Sequence, residues 1–370
     1  MSGPLLDRVR FRLASGPPEV MEELLLDQGA RDELADELLG AGPLEPLLAE
    51  PGATDVLVNA ADQVYLDRGR GLERVSVPFE SDADVRRLAV RLAAQAGRRL
   101  DDAQPFVDAV LSDGTRLHAI LPPLVPHPAI SLRILGRRPL SLPQLVALHA
   151  MPVELAAVLT SVVRARLSLL ISGGTGAGKT SLLAALLGQA DPSERILTIE
   201  DAPELAIDHP HVLPLLAREA NAEFAGAIGP LVLVRQALRM RADRLVIGEF
   251  RGAEIVELLS ALNTGHAGGA ATVHANSAAD VPARLIALAA LAGMSADTLL
   301  AQAASALDVL VHVARTADGT RRVEQVAIWQ RQAGLPPGLV WTAACGAGPA
   351  APELGQRLAR CGRPVPELLR

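Results

Sequence analysis

The chain has 370 residues, 49% of them hydrophobic and 21% charged, a balance that excludes wholesale disorder and leaves room for two domains with buried cores. Its 35 basic residues against 42 acidic ones give a net charge of −7, which disfavours sequence-independent binding to a phosphate backbone. Of the 35 basic residues 34 are arginine, and Lys179 is the single lysine.

The first forty residues carry helically spaced apolar positions (Met21, Leu24, Leu25, Leu34, Leu38) and read as a short helical leader, residues 1–40, without the apolar core of a signal peptide. Residues 41–138 read as one small α/β domain. Strands are expected over 55–59, 63–68 and 72–77, then a helix from Ser81 through Val85, Leu88, Ala89 and Leu92 to a stop at Gly97. Two further strands flank the turn Ser112-Asp113-Gly114-Thr115, and another runs over 129–135. Gly136 to Pro139, with Pro143, marks a linker taken as 139–150.

Residues 151–333 change pattern. Helices are expected over 152–166 and 179–189, and short, wholly apolar runs stand at 167–171, 196–199 and 245–247. Apolar strands alternating with helices indicate a parallel sheet covered on both faces. A hairpin over 306–314 and 321–329 closes the region, and the Pro, Gly and Ala content of 334–370 reads as a loosely ordered tail. No apolar run approaches the roughly 20 residues that span a bilayer. Cys345 and Cys361 are the only cysteines, too few for a disulfide framework or a four-cysteine zinc site, and fit a reducing compartment.

The segment Gly173-Gly174-Thr175-Gly176-Ala177-Gly178-Lys179-Thr180 fits G-x-x-x-x-G-K-[ST], directly after an apolar strand and directly before a helix. Glycines without side chains let backbone N–H groups turn inward around phosphate oxygens, and the helix N-terminus adds partial positive charge. In such a loop Lys179 reaches the β- and γ-phosphates of ATP, the Thr180 hydroxyl coordinates Mg²⁺, and Ser181 completes the binding segment. Leu245 to Ile247 then Gly248 and Glu249 form an apolar strand that ends in an acid able to polarise water or hold the metal's water shell. The strand 196–199 likewise ends at Glu200 and Asp201, with Glu204 close behind. The polar, glycine-containing segment 264–277 carries His266 and His274; without a third ligand at suitable spacing, zinc is not indicated.

This ordered set resembles the secretion and pilus ATPases of the type II/type IV secretion superfamily, and within it the tight-adherence (Flp) pilus assembly branch. The P-loop looks like the family's Walker A, TIEDAPEL (198–205) like its Asp box, LRMRADRLVIGEFRGAE (238–254) like its Walker B, and TGHAGGAATVHANS (264–277) like its His box. GPLEPLL (42–48), GRRLDDAQPFVDA (97–109), DGTRLHAILPP (113–123) and SLRIL (131–135) extend the similarity towards the N-terminus.

The resemblance implies a small N-terminal α/β domain followed by a RecA-like P-loop ATPase domain with a mainly parallel sheet. It also implies a homo-oligomeric ring, usually a hexamer, with ATP and Mg²⁺ bound between the domains. Carried over residue by residue, Arg116 and Arg133 reach the phosphates, Glu249 is the catalytic glutamate, and His274 senses the γ-phosphate or couples subunits. Glu200 and Glu204 shape the region around the metal, Glu200 and Glu249 acting on Mg²⁺ through water. Arg235, Arg239 and Arg241 line up with a family segment before Walker B. The two cysteines cannot build the four-cysteine zinc element of the type II secretion and type IV pilus assembly branches.

The implied partner is an inner-membrane platform protein, and the implied location is the cytoplasm, peripheral to the inner face of the membrane. A RecA-like nucleic-acid motor, helicase or DNA translocase, is the alternative. The acidic balance and an aromatic content of 2% argue against it, so no nucleic-acid partner is expected.

Overall fold

The computed structural model describes residues 40–69, 71–134, 139–218, 226–316 and 318–370. The expected leader, up to residue 39, and the linker signals at 136–138 lie outside the described residues, whereas the stretch 139–150 taken as linker holds a short helix, Leu142–Ala147, whose Leu142 and Leu145 are buried in a hydrophobic core because they sit on its apolar side. The chain divides into two compact units, Met1–Leu135 and Gly136–Arg370.

The first unit is built on a six-stranded sheet in the order β3-β2-β1-β6-β5-β4. Its strands are β1 (Asp55–Ala60), β2 (Gln63–Asp67), β3 (Leu72–Val75), β4 (Phe106–Val110), β5 (Arg116–Ile120) and β6 (Ala129–Arg133), and every pairing between them is antiparallel. Alternation decides which face is covered: Val56 and Val58 of β1, Leu117 of β5 and Ile130 and Leu132 of β6 are buried. Onto that face packs α1 (Asp82–Gln95), whose Val85, Leu88, Ala89 and Leu92 form its apolar stripe. Asp84 accepts from the Ser81 backbone N–H at 2.8 Å, half of a capping box, and Gly97 at φ +69° follows the helix end.

The second unit holds a nine-stranded sheet in the order β15-β14-β13-β12-β7-β11-β10-β8-β9. The strands β7 (Leu169–Gly173), β8 (Ile196–Glu200), β9 (Val212–Leu216), β10 (Arg244–Ile247), β11 (Ala270–Val273) and β12 (Val309–Arg315) pair in parallel. The strands β13 (Arg321–Ile328), β14 (Gly338–Thr342) and β15 (Gly346–Ala347) add antiparallel pairs at one side. This is the RecA-like, mainly parallel α/β arrangement the motifs imply.

The apolar runs divide residue by residue between two cores. Leu169 and Ile171 of β7 join one core with α2 (Leu142–Ala147), α3 (Val153–Arg164) and α4 (Lys179–Leu187). Leu170, Leu197 and Ile247 join the other with α5 (Pro230–Ala237), α6 (Glu254–Asn263), α7 (Val281–Ala290) and α8 (Ala296–Ala306). Burial on both faces is why these strands carry no polar alternation.

The expected loosely ordered tail is corrected by the structure. β14 pairs with β13, and α9 (Ala351–Arg360) buries Leu354 and Leu358 in the first of the two cores. Arg357, itself buried, donates to the Trp329 carbonyl at 2.9 Å and to Glu353 at 2.7 Å. Composition reports how often turns are needed, whereas a few well-placed apolar residues, Val340, Trp341, Leu354, Leu358 and Leu369 among them, decide whether the segment is held.

Candidate active site

The site of the second unit forms at the carboxyl ends of β7, β8, β10 and β11, the edge at which open parallel sheets present their ligand-binding loops. β7 runs into the glycine loop and the loop into α4. At Gly173 a β-carbon would lie 2.3 Å from the Val313 carbonyl oxygen, so the loop leaves the sheet through a gap only glycine fits. Gly178, at φ +94°, is the N-cap of α4 and supplies no side-chain cap, so the first-turn amides of Lys179, Thr180 and Ser181 keep their donors for an anion. Arg321 of β13 braces the outside of the loop, its Nε donating to the Gly176 carbonyl at 2.8 Å.

Lys179 is 7% exposed. Its Nζ donates to the carbonyls of Gly173 (3.1 Å) and Gly174 (3.0 Å), with His274 Nδ1 at 3.3 Å and Glu249 Oε1 at 3.9 Å. Burial holds the ammonium pKa below that of free lysine, with Glu249 and Glu204 pulling the other way. His274 Nε2 lies 2.6 Å from Glu249 Oε1. The two partners assign one tautomer: Nδ1 accepts from the lysine and Nε2–H donates to the glutamate. Burial first, then the neighbouring Lys179, lowers the His274 pKa against the pull of Glu249, and this lowering favours the neutral imidazole.

Glu249 is gripped at its second oxygen as well, where Arg251 Nε donates to Oε2 at 2.9 Å. Arg251 Nη1 also reaches Asp201 Oδ2 at 3.4 Å. The backbone before Glu249 is tied to both adjacent strands, Gly248 N donating to the Ile199 carbonyl at 2.8 Å and Thr272 Oγ1 to the Gly248 carbonyl at 2.6 Å. A β-carbon on Gly248 would stand 3.0 Å from Glu200 Cγ.

Glu200 is placed differently from Glu249. Its Oε2 accepts from the backbone N–H groups of Glu204 (2.9 Å) and Leu205 (2.8 Å), so it organises the turn after β8. Burial raises its pKa against those hydrogen bonds. Gly174, Thr175, Gly176 and Ser181 are exposed, Thr180 and Glu204 half-buried, and Ala177 buried beneath the loop.

Arg116 and Arg133 belong to the first unit, where they face one another across β5 and β6. Arg133 also stands opposite Asp55 of β1 and donates to its carboxylate at 2.9 Å. Arg235 pairs with Glu257 at 2.7 Å. Arg239 and Arg241 precede β10, at the opposite end of that strand from Glu249.

Several residues of the site were not singled out in the sequence. Arg251 lies two positions after Glu249, a spacing that puts both on one side of an extended segment and was a usable signal. Arg321 lies 145 residues from the carbonyl it binds and gave none. A cleft of about 460 Å³ opens between the loop at Gly173–Thr175 and the residues after β11, with His274, Asn276 and Arg284 on its wall.

The residues present fit a magnesium nucleotide. An uncapped helix N-terminus, a glycine loop with its lysine and a first-turn hydroxyl at Thr180 are the donor set for polyphosphate and a hard cation.

Residues 37–344 match the family described as Type II/IV secretion system protein. Over 308 residues the chain is 53% identical to a putative conjugal transfer protein of Mycobacterium tuberculosis, covering 81% of this chain and 88% of that one. It is 30% identical over 277 residues to the type IV secretion system protein VirB11 of Brucella suis, covering 68% of this chain and 77% of that one. Among solved structures, the ATPase DotB of Legionella pneumophila aligns with a TM-score of 0.55 at 20% identity, over 80% of this chain and 81% of that one. The pilus retraction motor PilT with bound ADP aligns with a TM-score of 0.55 at 20% identity, over 79% and 83%. At such identities the likeness shows the fold. The family match, by contrast, runs through both units and every strand that carries the site: the chain belongs to the type II/IV secretion system protein family.

Proposed function

We propose that the protein is a Mg²⁺-dependent ATPase that works as a ring, a hexamer in our reading, and powers secretion or pilus assembly from the cytoplasmic face of a membrane. The observation that carries this is the convergence of Lys179, His274 and Glu249 within 3.9 Å of one another at the mouth of the glycine loop. Bound Mg·ATP supplies the phosphoryl group and the metal's charge. Lys179 and the first-turn amides of α4 would hold phosphate oxygens, and the Thr180 hydroxyl would serve as a metal ligand. Glu249 orients the attacking water and takes its proton, the β–γ bridging oxygen leaving with the electron pair of the broken bond. His274 holds Glu249 Oε1 and Arg251 holds Oε2, so the carboxylate is aimed before substrate arrives.

Arg116 and Arg133 are proposed to meet the phosphates from the first unit, where a planar, permanently charged fork suits spread transition-state charge. Glu200 and Glu204 act on the metal's surroundings through the turn they shape. The partner of such a ring is an inner-membrane platform protein. The ordered motif blocks support the tight-adherence (Flp) branch, and the names of the relatives add conjugal transfer to the systems such a motor serves. Among the described residues no helix is long and apolar enough to cross a membrane.

Purified protein should hydrolyse ATP with a strict Mg²⁺ requirement. Glu249→Gln should retain ATP binding while blocking turnover, and Lys179→Arg, a mild change elsewhere in the chain, should lose most of it. Full steady-state activity in either variant would sink the assignment.

A further inference from the structure

The cleft beside the glycine loop contains a cation that the mechanism above does not use. Arg284 is the fourth residue of α7, exposed, and lines the same cavity as Gly173, Gly174, Thr175 and His274. Asp280, four positions earlier at the helix N-cap, has the spacing of a helical ion pair with it. That pair is not formed: Asp280 Oδ2 accepts from Ser277 Oγ at 2.8 Å instead. Among the described residues the Arg284 guanidinium has neither a hydrogen bond nor a salt bridge, whereas neighbouring Arg251 and Arg321 are each committed to protein oxygens. Its charge is nonetheless felt across the cleft, adding to the influences that lower the His274 pKa.

An unengaged guanidinium facing a glycine loop across a cavity of about 460 Å³ is suited to an oxyanion held between them, for which it offers a two-pronged donor. The wall on which it sits follows β11 and carries His274, which bonds Glu249, so the cleft adjoins the end of the site where water is activated. The far end of a bound triphosphate belongs there.

We propose that Arg284 binds the terminal phosphate of the nucleoside triphosphate from within the second unit, so that the site distinguishes tri- from diphosphate without help from the first unit. This rests on the nucleotide reading above.

The test is affinity for a non-hydrolysable ATP analogue and for ADP, both with Mg²⁺, in the full chain and in Arg284→Gln. A charge-assisted contact predicts that the variant binds the analogue about tenfold or more weakly, with ADP affinity within about twofold of the unaltered protein. Arg284→Lys should recover part of the loss. Equal weakening towards both nucleotides, no change towards either, or a change in ring size alone would overturn the proposal. Failure of the unaltered protein to bind either nucleotide would overturn the ATPase reading, and this proposal with it. Because the side chain is exposed and unpaired, Arg284→Gln should unfold at the same temperature as the unaltered protein, and equal weakening towards both nucleotides in that folded variant is the result that overturns the proposal.

Discussion

At the scale of single residues, the solitary lysine has a physical account. Lys179 Nζ fits between two backbone carbonyls at 3.0 and 3.1 Å with an imidazole at 3.3 Å. A compact ammonium on a four-carbon stem occupies that space; a guanidinium, wider and planar, does not. Two histidines make the fold less stable in acid. His312 is buried under the loop strand, 3.0 Å from Ser172 Oγ, and burial lowers its pKa from the ordinary 6.5, with Glu324 and Asp280 opposing and Lys179 assisting. His274 shifts the same way. A group whose folded pKa is depressed is protonated more readily in the unfolded chain. Its stabilisation is therefore complete above the unfolded value of 6.5 and is lost as pH falls through the lower folded one. The thermal midpoint should fall as pH drops below 6.5, and His312→Asn should flatten part of that fall while lowering the midpoint at neutral pH. An unchanged acid slope in His312→Asn would refute the role given to burial.

At the scale of elements, what could be read in the sequence depended on whether an element's partners are local. The parallel strands β7, β8 and β10 announced themselves as apolar runs because both faces are covered, whereas β9, partly exposed, and β11, set within a polar, glycine-containing segment, did not; the glycine loop and the acid-ended strands are contiguous segments. The hairpin of β12 and β13 was legible as two strand-like runs over 306–314 and 321–329, but not the use of Arg321 on β13 to brace the loop at Gly176. The C-terminal element was misjudged because its apolar residues are few and their partners lie on β13 and in the core around α3. Leu354 is fully buried, and Leu354→Ala should cost about 2–5 kcal/mol of unfolding free energy. Leu335→Ala, at a position 46% exposed, should cost under about 0.5 kcal/mol. Chemical denaturation of both variants checks this, and equal, small effects would detach α9 from the core.

At the scale of the whole molecule, the proposed ring and the proposed role of the first unit make one prediction together. Arg133→Ala should lose turnover while the second unit still binds nucleotide, and size measurements with a non-hydrolysable ATP analogue should show the ring. Unchanged turnover in Arg133→Ala would remove the first unit from the chemistry. The sequence by itself located the glycine loop at 173–180 and the acid after β10, because each is a short run placed by strand, turn and helix in succession, whereas the histidine after β11 was singled out only through the family resemblance. Tertiary structure alone decided which of those side chains meet, how the first unit's strands pair, and that the C-terminus is held. The reason is distance along the chain: Lys179 finds His274 across 95 residues and Gly176 finds Arg321 across 145, separations at which local pattern carries no information and only the order of strands in the sheet brings partners together.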